Sequence, residues 1–180
     1  MEEFFSIKKI LFLIIMGIAL FSCKEQPKNL KKAIPNQDTI DQRMMNVNII
    51  LESNEIEKIE DYIKRYQWEM KTTASGLKYM VYKQGKGNHP QKNSKIKIKY
   101  RCSLLNGVTV YNSDIDGLKV FSVGKAEVET GLEEGILLLK VGDKAKFIIP
   151  SRLAFGLIGD QKKIPKKATL VYDVELLEVI

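Results

Sequence analysis

Residues 95–102 of the chain, KIKIKYRC, alternate without a break between charged and apolar side chains. One face of this segment carries Ile96, Ile98, Tyr100 and Cys102, and the other carries Lys95, Lys97, Lys99 and Arg101. A period of two gives no apolar face on a helix, and it predicts a strand with one buried side. Asn106-Gly107 follows shortly afterwards, and this dipeptide favours the tight turn of a hairpin. The segment therefore predicts an antiparallel sheet with one covered face.

The same period continues through most of residues 75–180. Further strands are predicted in GLKYMVYKQGKG, VTVYNS, KVFSVG, KAKFIIP and ATLVYDVELLEVI. One short helix is predicted among them, where Thr130 and Glu133 form a capping-box pattern and Gly142 ends the segment. Gly135 lies inside this helix, where glycine is about 1 kcal/mol less favourable than alanine, so we expect it to permit close packing of helix on sheet. An antiparallel sheet crossed by one short helix is an α+β fold.

A different apolar pattern precedes this domain, in SNEIEKIEDYIKRYQWEM, where Asn54 and Glu57 form another capping-box pattern. Its apolar residues recur at steps of three and four, at Ile56, Ile59, Ile63, Tyr66 and Met70. Residues 47–74 are therefore predicted to form an amphipathic helical segment. Its apolar stripe needs a partner, and the alternatives are the following domain, which we favour, a twin helix in a homodimer, or a client protein.

The N-terminus has the features of a secretion signal. Lys8 and Lys9 precede the apolar run ILFLIIMGIALF, which is too short for a comfortable membrane span. Residues 1–22 are predicted to be a lipoprotein signal peptide, the alternative being an uncleaved anchor helix. LFSC resembles a bacterial lipobox, which makes Cys23 the predicted lipid-bearing residue rather than an ordinary thiol. Residues 23–46, with two prolines and no sustained period, would then be a flexible tether.

Several kinds of chemistry find no support in the composition. Lipidation of Cys23 would leave Cys102 as the one free thiol, and His89 is the one histidine, so we expect neither an internal disulfide nor a metal-ligand cluster. Cys102 is predicted to be a small buried hydrophobe rather than a nucleophile. Nine basic residues and no acidic one lie between Lys71 and Cys102. Behind a secretion signal we interpret them as a solvated edge or a surface for anionic lipids and envelope polymers, and not as a nucleic-acid site.

Three stretches, in this order, resemble a known family: IKYRCSLLNGVTVYNS, VFSVGKAEVETGLEEGILLLKVGDKAKFIIPSRLAFG and IPKKATLVYDVELLEV. Residues 75–180 resemble the FKBP-type peptidyl-prolyl cis-trans isomerases over the length of that domain. The whole chain resembles the lipoprotein isomerases associated with gliding motility (GldI-like). The resemblance implies an antiparallel half-barrel sheet wrapped around one short helix, here preceded by the amphipathic helix, and a pocket lined by aromatic residues. It implies neither a cofactor nor a metal.

The resemblance also implies the residues of the pocket. Those with a catalytic role would be Tyr100, Asn112, Phe121, Phe155 and Tyr172. Those that bind the substrate would be Tyr111, Val128, Glu129, Leu132 and Ile164. Val128 and Glu129 would meet the peptide through their backbone, and Leu132 would form the pocket floor. Asn112 stands where the family typically has an aspartate, and Phe155 lacks the hydroxyl of the usual flap tyrosine, so we expect weaker or altered isomerase activity.

Two functions are compatible with this sequence. The favoured one is an envelope-tethered prolyl isomerase that assists the folding of exported, proline-containing polypeptides. It would be held to a membrane through Cys23 and face the periplasm, with the outer membrane favoured over the inner. The other is a non-catalytic peptide-binding or holdase module that uses the same groove and the N-terminal helix. Asn112 and Phe155 favour the second function, whereas the remaining pocket residues favour the first.

Overall fold

A computed structural model describes residues 37–180 of the chain. The helices are α1 (Gln37–Tyr66), α2 (Ser113–Asp116) and α3 (Thr130–Leu137), with a 3-10 turn at Ser151–Leu153. The strands are β1 (Lys71–Thr72), β2 (Lys78–Lys83), β3 (Lys95–Leu104), β4 (Thr109–Asn112), β5 (Lys119–Ser122), β6 (Lys144–Ile149) and β7 (Leu170–Val179). The chain divides into two units, Met1–Asp41 and Gln42–Ile180, and the contacts described below lie within the second.

The seven strands form one open antiparallel sheet. Their order is β1-β2-β6-β7-β3-β4, and β5 also pairs with β3. β3 and β7 pair along almost their whole length, while β5 pairs with the first half of β3 and β4 with its second half. Gly107, at a φ of 88°, makes the predicted turn between β3 and β4. The predicted α+β class is confirmed, and β1 is the strand that the sequence pattern did not reveal.

One face of the sheet, here called the inner face, is covered by α3. Gly135 is the point of closest approach, because a Cβ at this position would lie 2.8 Å from the Cε2 and Cζ atoms of the Phe147 ring. A Cβ on Gly131 would lie 2.4 Å from the Cγ2 atom of Ile149 in the same strand. Interiors are packed without room for such overlaps. The expectation that Gly135 permits close packing is therefore confirmed.

The opposite face, here called the outer face, is covered in part by the C-terminal half of α1. The helix and the sheet share a second buried cluster, which consists of Ile59, Tyr62, Ile148 and Val171. The favoured partner of the apolar stripe, the following domain, is thus the one found. Ile56 and Tyr66 also belong to the predicted stripe, but they are 52% and 49% exposed. The docked part of the helix is therefore shorter than its apolar pattern.

The start of α1 corrects the sequence interpretation. The helix begins at Gln37, so the last ten residues of the predicted tether are helical. Asn54 lies well inside the helix and therefore cannot act as its N-cap, a position that requires a non-helical backbone. The preceding stretch showed no helical face because its large apolar side chains surround the helix and are exposed, namely Met44, Met45, Val47, Ile49, Ile50 and Leu51.

The end of α1 is a Schellman motif that the sequence analysis missed. The N–H of Trp68 donates to the carbonyl of Ile63 at 3.1 Å, and the N–H of Gln67 donates to the carbonyl of Lys64 at 3.2 Å. Gln67 takes the left-handed conformation that this motif requires, at a φ of 54°. The ring of Trp68 then packs 5.5 Å from that of Tyr62, centroid to centroid. These contacts fix the direction in which the chain leaves the helix.

The predictions for residues 1–36, including the signal peptide, the start of the tether and lipid attachment at Cys23, concern residues outside the described part of the chain. Within residues 37–180, no helix combines the length and the apolar character needed to cross a bilayer. Several outward lysines of the sheet are paired with carboxylates, among them Lys97 with Glu178 at 2.5 Å and Lys99 with Asp114 at 2.8 Å. These pairs are in keeping with a solvated sheet surface.

Candidate active site on the inner face

Three aromatic side chains from three strands meet on the inner face. Tyr100 of β3, Phe121 of β5 and Tyr172 of β7 belong to one buried cluster, which also contains Leu132 of α3. Each ring points inward because side chains alternate between the two faces of a strand. The ring centroids of Tyr100 and Tyr172 are 6.1 Å apart. The three rings are between 1% and 7% exposed, so water is almost excluded from them.

The loop between β6 and β7, residues 150–169, is here called the flap. Its residue Ile164 is buried within the same cluster, and Phe155 packs against the cluster and is half-buried. Val128, which precedes α3, and Tyr111 of β4 also pack against it. Eight of the ten residues implied by the family resemblance therefore meet in or against one cluster.

Glu129 lies where the resemblance placed it, but its side chain is buried. The residue is 7% exposed, and its Oε1 atom accepts a hydrogen bond from the Tyr172 hydroxyl at 2.7 Å. Its Oε2 atom is also buried and has no hydrogen-bond partner within the described residues. Burial and then the charge of Glu129 hold the pKa of Tyr172 well above its usual range. Tyr172 therefore stays protonated and remains a donor to the carboxylate.

The start of α3 differs from the predicted capping box. Glu129 is the N-cap residue and makes no side-chain cap hydrogen bond. The carboxylate of Glu133 accepts a hydrogen bond from the backbone N–H of Gly124 instead of folding back on the helix start. This contact ties the turn after β5 to the first turn of α3, and so fixes Phe121 relative to Leu132.

Asn112 is the predicted site residue that is not brought into the cluster. It is the N-cap of α2, and its side-chain oxygen accepts the backbone N–H of Asp114 at 3.1 Å. Its own backbone N–H donates to Oδ2 of Asp116 at 2.7 Å. Asp114, the acidic residue two positions after Asn112, is ion-paired with Lys99 on the outside of the sheet. Neither side chain is therefore free to act on a ligand in this conformation.

The margin of the cluster carries charged groups that the sequence analysis missed. The Tyr111 hydroxyl donates to Oδ2 of Asp160 in the flap, and this hydrogen bond, followed by burial, raises the pKa of Tyr111 to about 12. The ammonium group of Lys163, also in the flap, lies 4.8 Å from the centroid of the Tyr111 ring. That of Lys119 lies 5.1 Å from the centroid of the Tyr100 ring. Both lie within the range of cation–π attraction.

Neither a reactive thiol nor a metal-binding group is found in the described part of the chain. Cys102 is fully buried, as predicted, and burial is the main cause that raises its pKa to about 12. Its thiol is therefore protonated at neutral pH and a poor nucleophile. No group of three or more His, Cys, Asp or Glu side chains in the described part of the chain could hold a metal ion. The site can exclude water from an apolar ligand and offer it aromatic faces.

Comparison with known proteins places these features in a family. A family model described as FKBP-type peptidyl-prolyl cis-trans isomerase matches residues 86–177, just over half of the chain. The probable FKBP-type peptidyl-prolyl cis-trans isomerase FkpA of Neisseria meningitidis is 41% identical over 110 residues, which are 61% of this chain and 40% of that protein. FkpA of Escherichia coli is 36% identical over 124 residues, which are 68% of this chain and 45% of that protein.

The fold agrees with these matches. The crystal structure of FkpA from Escherichia coli aligns with a TM-score of 0.62 at 30% identity, and the alignment covers 81% of this chain and 74% of that chain. In sequence, the chain spans less than half the length of the two curated relatives. The similarity therefore includes the isomerase domain and leaves much of each relative unmatched.

Proposed function

Because this chain belongs to the FKBP-type peptidyl-prolyl cis-trans isomerase family, we propose that it is a peptidyl-prolyl cis-trans isomerase that assists the folding of exported proteins. The observation that carries this proposal is the buried cluster of Tyr100, Phe121 and Tyr172 with Leu132. It unites aromatic side chains from three strands with a leucine from one helix, and water hardly reaches any of them.

The chemistry requires no covalent step. Rotation about an amide must overcome about 18–20 kcal/mol, because resonance keeps the bond planar. The twisted amide has lost this resonance and carries less charge on its oxygen, so it is less favoured by water than the planar form. A dry aromatic site therefore binds the twisted state better than the planar one, and this difference accelerates the reaction.

The substrate proline would lie against the three rings and Leu132. The backbone of Val128 and Glu129 would meet the peptide, and Phe155, Ile164 and Tyr111 would cover it. Since the rings are almost completely covered, binding requires the flap to move. Phe155 is half-buried, and we expect the peptide to enter on its side of the cluster.

The N-terminal sequence supports a place for this activity in the cell envelope. Residues 1–22 would direct export, a lipid on Cys23 would anchor the chain to a membrane, and the isomerase domain would face the periplasm. Two acyl chains would suffice for stable attachment without a membrane-spanning helix. We place the protein with the lipoprotein isomerases of gliding motility, on the outer rather than the inner membrane, with exported proline-containing polypeptides as its clients.

The exposed part of α1 supports pairing of two copies. Six large apolar side chains between Met44 and Leu51 are each at least 38% exposed. Exposed apolar surface of this kind is typical of an interaction site. A homodimer formed through this part of the helix would bury some of these side chains.

The second candidate function is peptide binding or a holdase role without catalysis. The observation that favours it is the buried carboxylate of Glu129, which places a charge beside the rings where a dry site would work best. The capping role of Asn112 points the same way, because its side chain is already engaged. A holdase would use the same groove, together with the exposed part of α1.

A protease-coupled assay on proline tetrapeptides tests the isomerase. We expect the chain from Lys24 to Ile180 to accelerate isomerisation, and the double variant Phe121→Ala, Tyr172→Ala to lose the activity. Equal rates for the two proteins would refute catalysis by this cluster. The holdase would then be supported if the same chain suppressed aggregation of an unfolded client. Catalysed refolding of a proline-limited protein by wild type alone would support the folding role.

A further inference from the structure

We propose that Glu55 of α1 is a positioning residue that holds both ends of the flap, so that the N-terminal helix controls how the flap covers the candidate active site. One carboxylate oxygen of Glu55 accepts the backbone N–H of Ser151 at 2.7 Å and the hydroxyl of Thr169 at 2.5 Å. The other accepts the hydroxyl of Ser151 at 2.9 Å. Ser151 is the second residue of the flap and Thr169 is its last, directly before β7, so one side chain joins the two ends of the loop.

The setting of these hydrogen bonds makes them strong. All three have a carboxylate as acceptor, and hydrogen bonds to charged groups are roughly twice as strong as neutral ones. Thr169 is 6% exposed, and Glu55 and Ser151 are half-buried, so water competes weakly for the same groups. Glu55 lies on the docked half of α1, one turn before Ile59, whose burial on the outer face holds the helix in place.

A second contact strengthens the connection from α1 to the flap. Arg152 follows Ser151 and forms an ion pair with Glu52 of α1 at 3.2 Å. The same guanidinium donates to the backbone carbonyl of Ser75. The hydroxyl of Ser75 in turn donates to the carboxylate of Glu134 in α3, at 2.6 Å from its Oε2 atom. The start of the flap is thereby fixed to elements on both faces of the sheet.

The consequence concerns the two flap residues at the site. Phe155 and Ile164 lie between the two ends that Glu55 joins, and both pack on the aromatic cluster. A loosened loop base would leave them free to move away from a bound peptide. Glu55 lies outside residues 86–177, so the family match does not assign it a role. The part of the inference that concerns catalysis rests on the proposed isomerase function.

The test compares Glu55→Gln with Glu57→Gln, a matched change on the exposed side of the same helix. Amide hydrogen exchange is measured at Gly156 and Lys167, whose N–H groups bond within the flap, and at β7 as a reference. We expect faster exchange in the flap of Glu55→Gln alone, with β7 unchanged. For Glu55→Gln, kcat/KM on tetrapeptides should fall about tenfold, which is the effect of one charge-assisted hydrogen bond. Most of this fall should appear as a higher KM, because the flap contacts substrate and transition state alike.

Thr169→Val supplies a second variant that keeps the size of the side chain and removes its donor. Its effect on flap exchange should be smaller than that of Glu55→Gln. In the double variant the two effects should be less than additive, because both changes act on the hydrogen bond between Thr169 and Glu55. Unchanged flap exchange in Glu55→Gln would overturn the inference, whatever the activity. If flap exchange is faster in Glu55→Gln but the wild-type protein itself has no isomerase activity, the positioning role is supported and the proposed function is refuted.

Discussion

The hydroxyl of Tyr172 donates to Oε1 of Glu129 at 2.7 Å inside the aromatic cluster, across 43 residues of sequence. The second oxygen of this carboxylate is buried without a hydrogen-bond partner in the described residues. A buried charge is costly unless it is paired or hydrogen-bonded. Tyr172 is therefore the group that makes an inward-facing Glu129 tolerable, and the pair determines how polar the candidate active site is.

Tyr172→Phe should lower the free energy of unfolding, because it leaves the Glu129 carboxylate buried with no hydrogen bond. We expect a loss of about 1–3 kcal/mol, the usual cost of an unsatisfied buried group. Urea unfolding followed by far-UV circular dichroism measures it. The area of surface that becomes exposed on unfolding should not change. The slope of the unfolding free energy with urea concentration should therefore stay constant.

Glu129→Gln supplies the control for this prediction. In that background Tyr172→Phe leaves a neutral amide, and not a carboxylate, without its hydrogen bond. The loss in the free energy of unfolding should therefore be clearly smaller than in the wild-type background. Equal costs in the two backgrounds would show that the charge of Glu129 is not what the Tyr172 hydroxyl compensates.

Gly135→Ala tests the contact between α3 and β6. In an open helical position this change would stabilise the protein by about 1 kcal/mol. Here the new Cβ would lie 2.8 Å from ring atoms of Phe147, so we expect a net destabilisation of about 1–3 kcal/mol. Thermal unfolding measures the effect. Phe147→Leu should relieve the overlap, so Gly135→Ala should destabilise the protein less in that background. An equal destabilisation in both backgrounds would contradict the packing explanation.

The sequence predicted which side chains of a strand face the core, because the strand backbone itself makes successive side chains point to opposite faces of the sheet. Ile96, Ile98, Tyr100 and Cys102 are buried as expected, whatever packs on them. The family resemblance placed Phe121 and Tyr172 at the same site, and in the structure their strands are the paired neighbours of β3. The aromatic part of the site could therefore be predicted from the strand pattern and the family resemblance together.

The polar part of the site could not be predicted in this way. Glu129 faces inward, where Tyr172, distant in sequence, supplies a hydrogen-bond donor. Asp160 reaches Tyr111, and Glu55 reaches the flap, through loop geometry that no local period encodes. Asn54 matched a capping pattern, yet the helix passed through it, since a capping residue acts only where the backbone actually leaves the helix.

Asn54→Ala distinguishes the predicted from the observed start of α1. If Asn54 were an N-cap, its replacement would cost about 0.5–2 kcal/mol. As an exposed residue inside the helix, it should instead give a small gain, up to about 0.7 kcal/mol. Urea unfolding of the variant measures the difference. A loss of stability would indicate that the helix begins near Asn54 in solution.

The hydrogen bond between Tyr111 and Asp160 should make the stability of the protein depend on alkaline pH. It raises the pKa of Tyr111 from 10.0 to about 12 in the folded state. A raised folded pKa means that the protonated phenol contributes stability below the unfolded pKa of about 10, and that this contribution disappears as the pH rises through the folded value. Tyr111→Phe should therefore destabilise the protein at neutral pH, and its effect should shrink between about pH 10 and pH 12.

Urea unfolding of wild type and Tyr111→Phe at a series of pH values measures this difference. Other tyrosines with raised pKa values, such as Tyr62, are present in both proteins and cancel in the comparison. Asp160→Asn removes the carboxylate whose hydrogen bond, and to a lesser degree its charge, raises the pKa of Tyr111, so in that background the effect of Tyr111→Phe should vary less with pH in this window. A constant effect of Tyr111→Phe from neutral to alkaline pH in the wild-type background would show that Tyr111 does not hold the flap through Asp160 in solution.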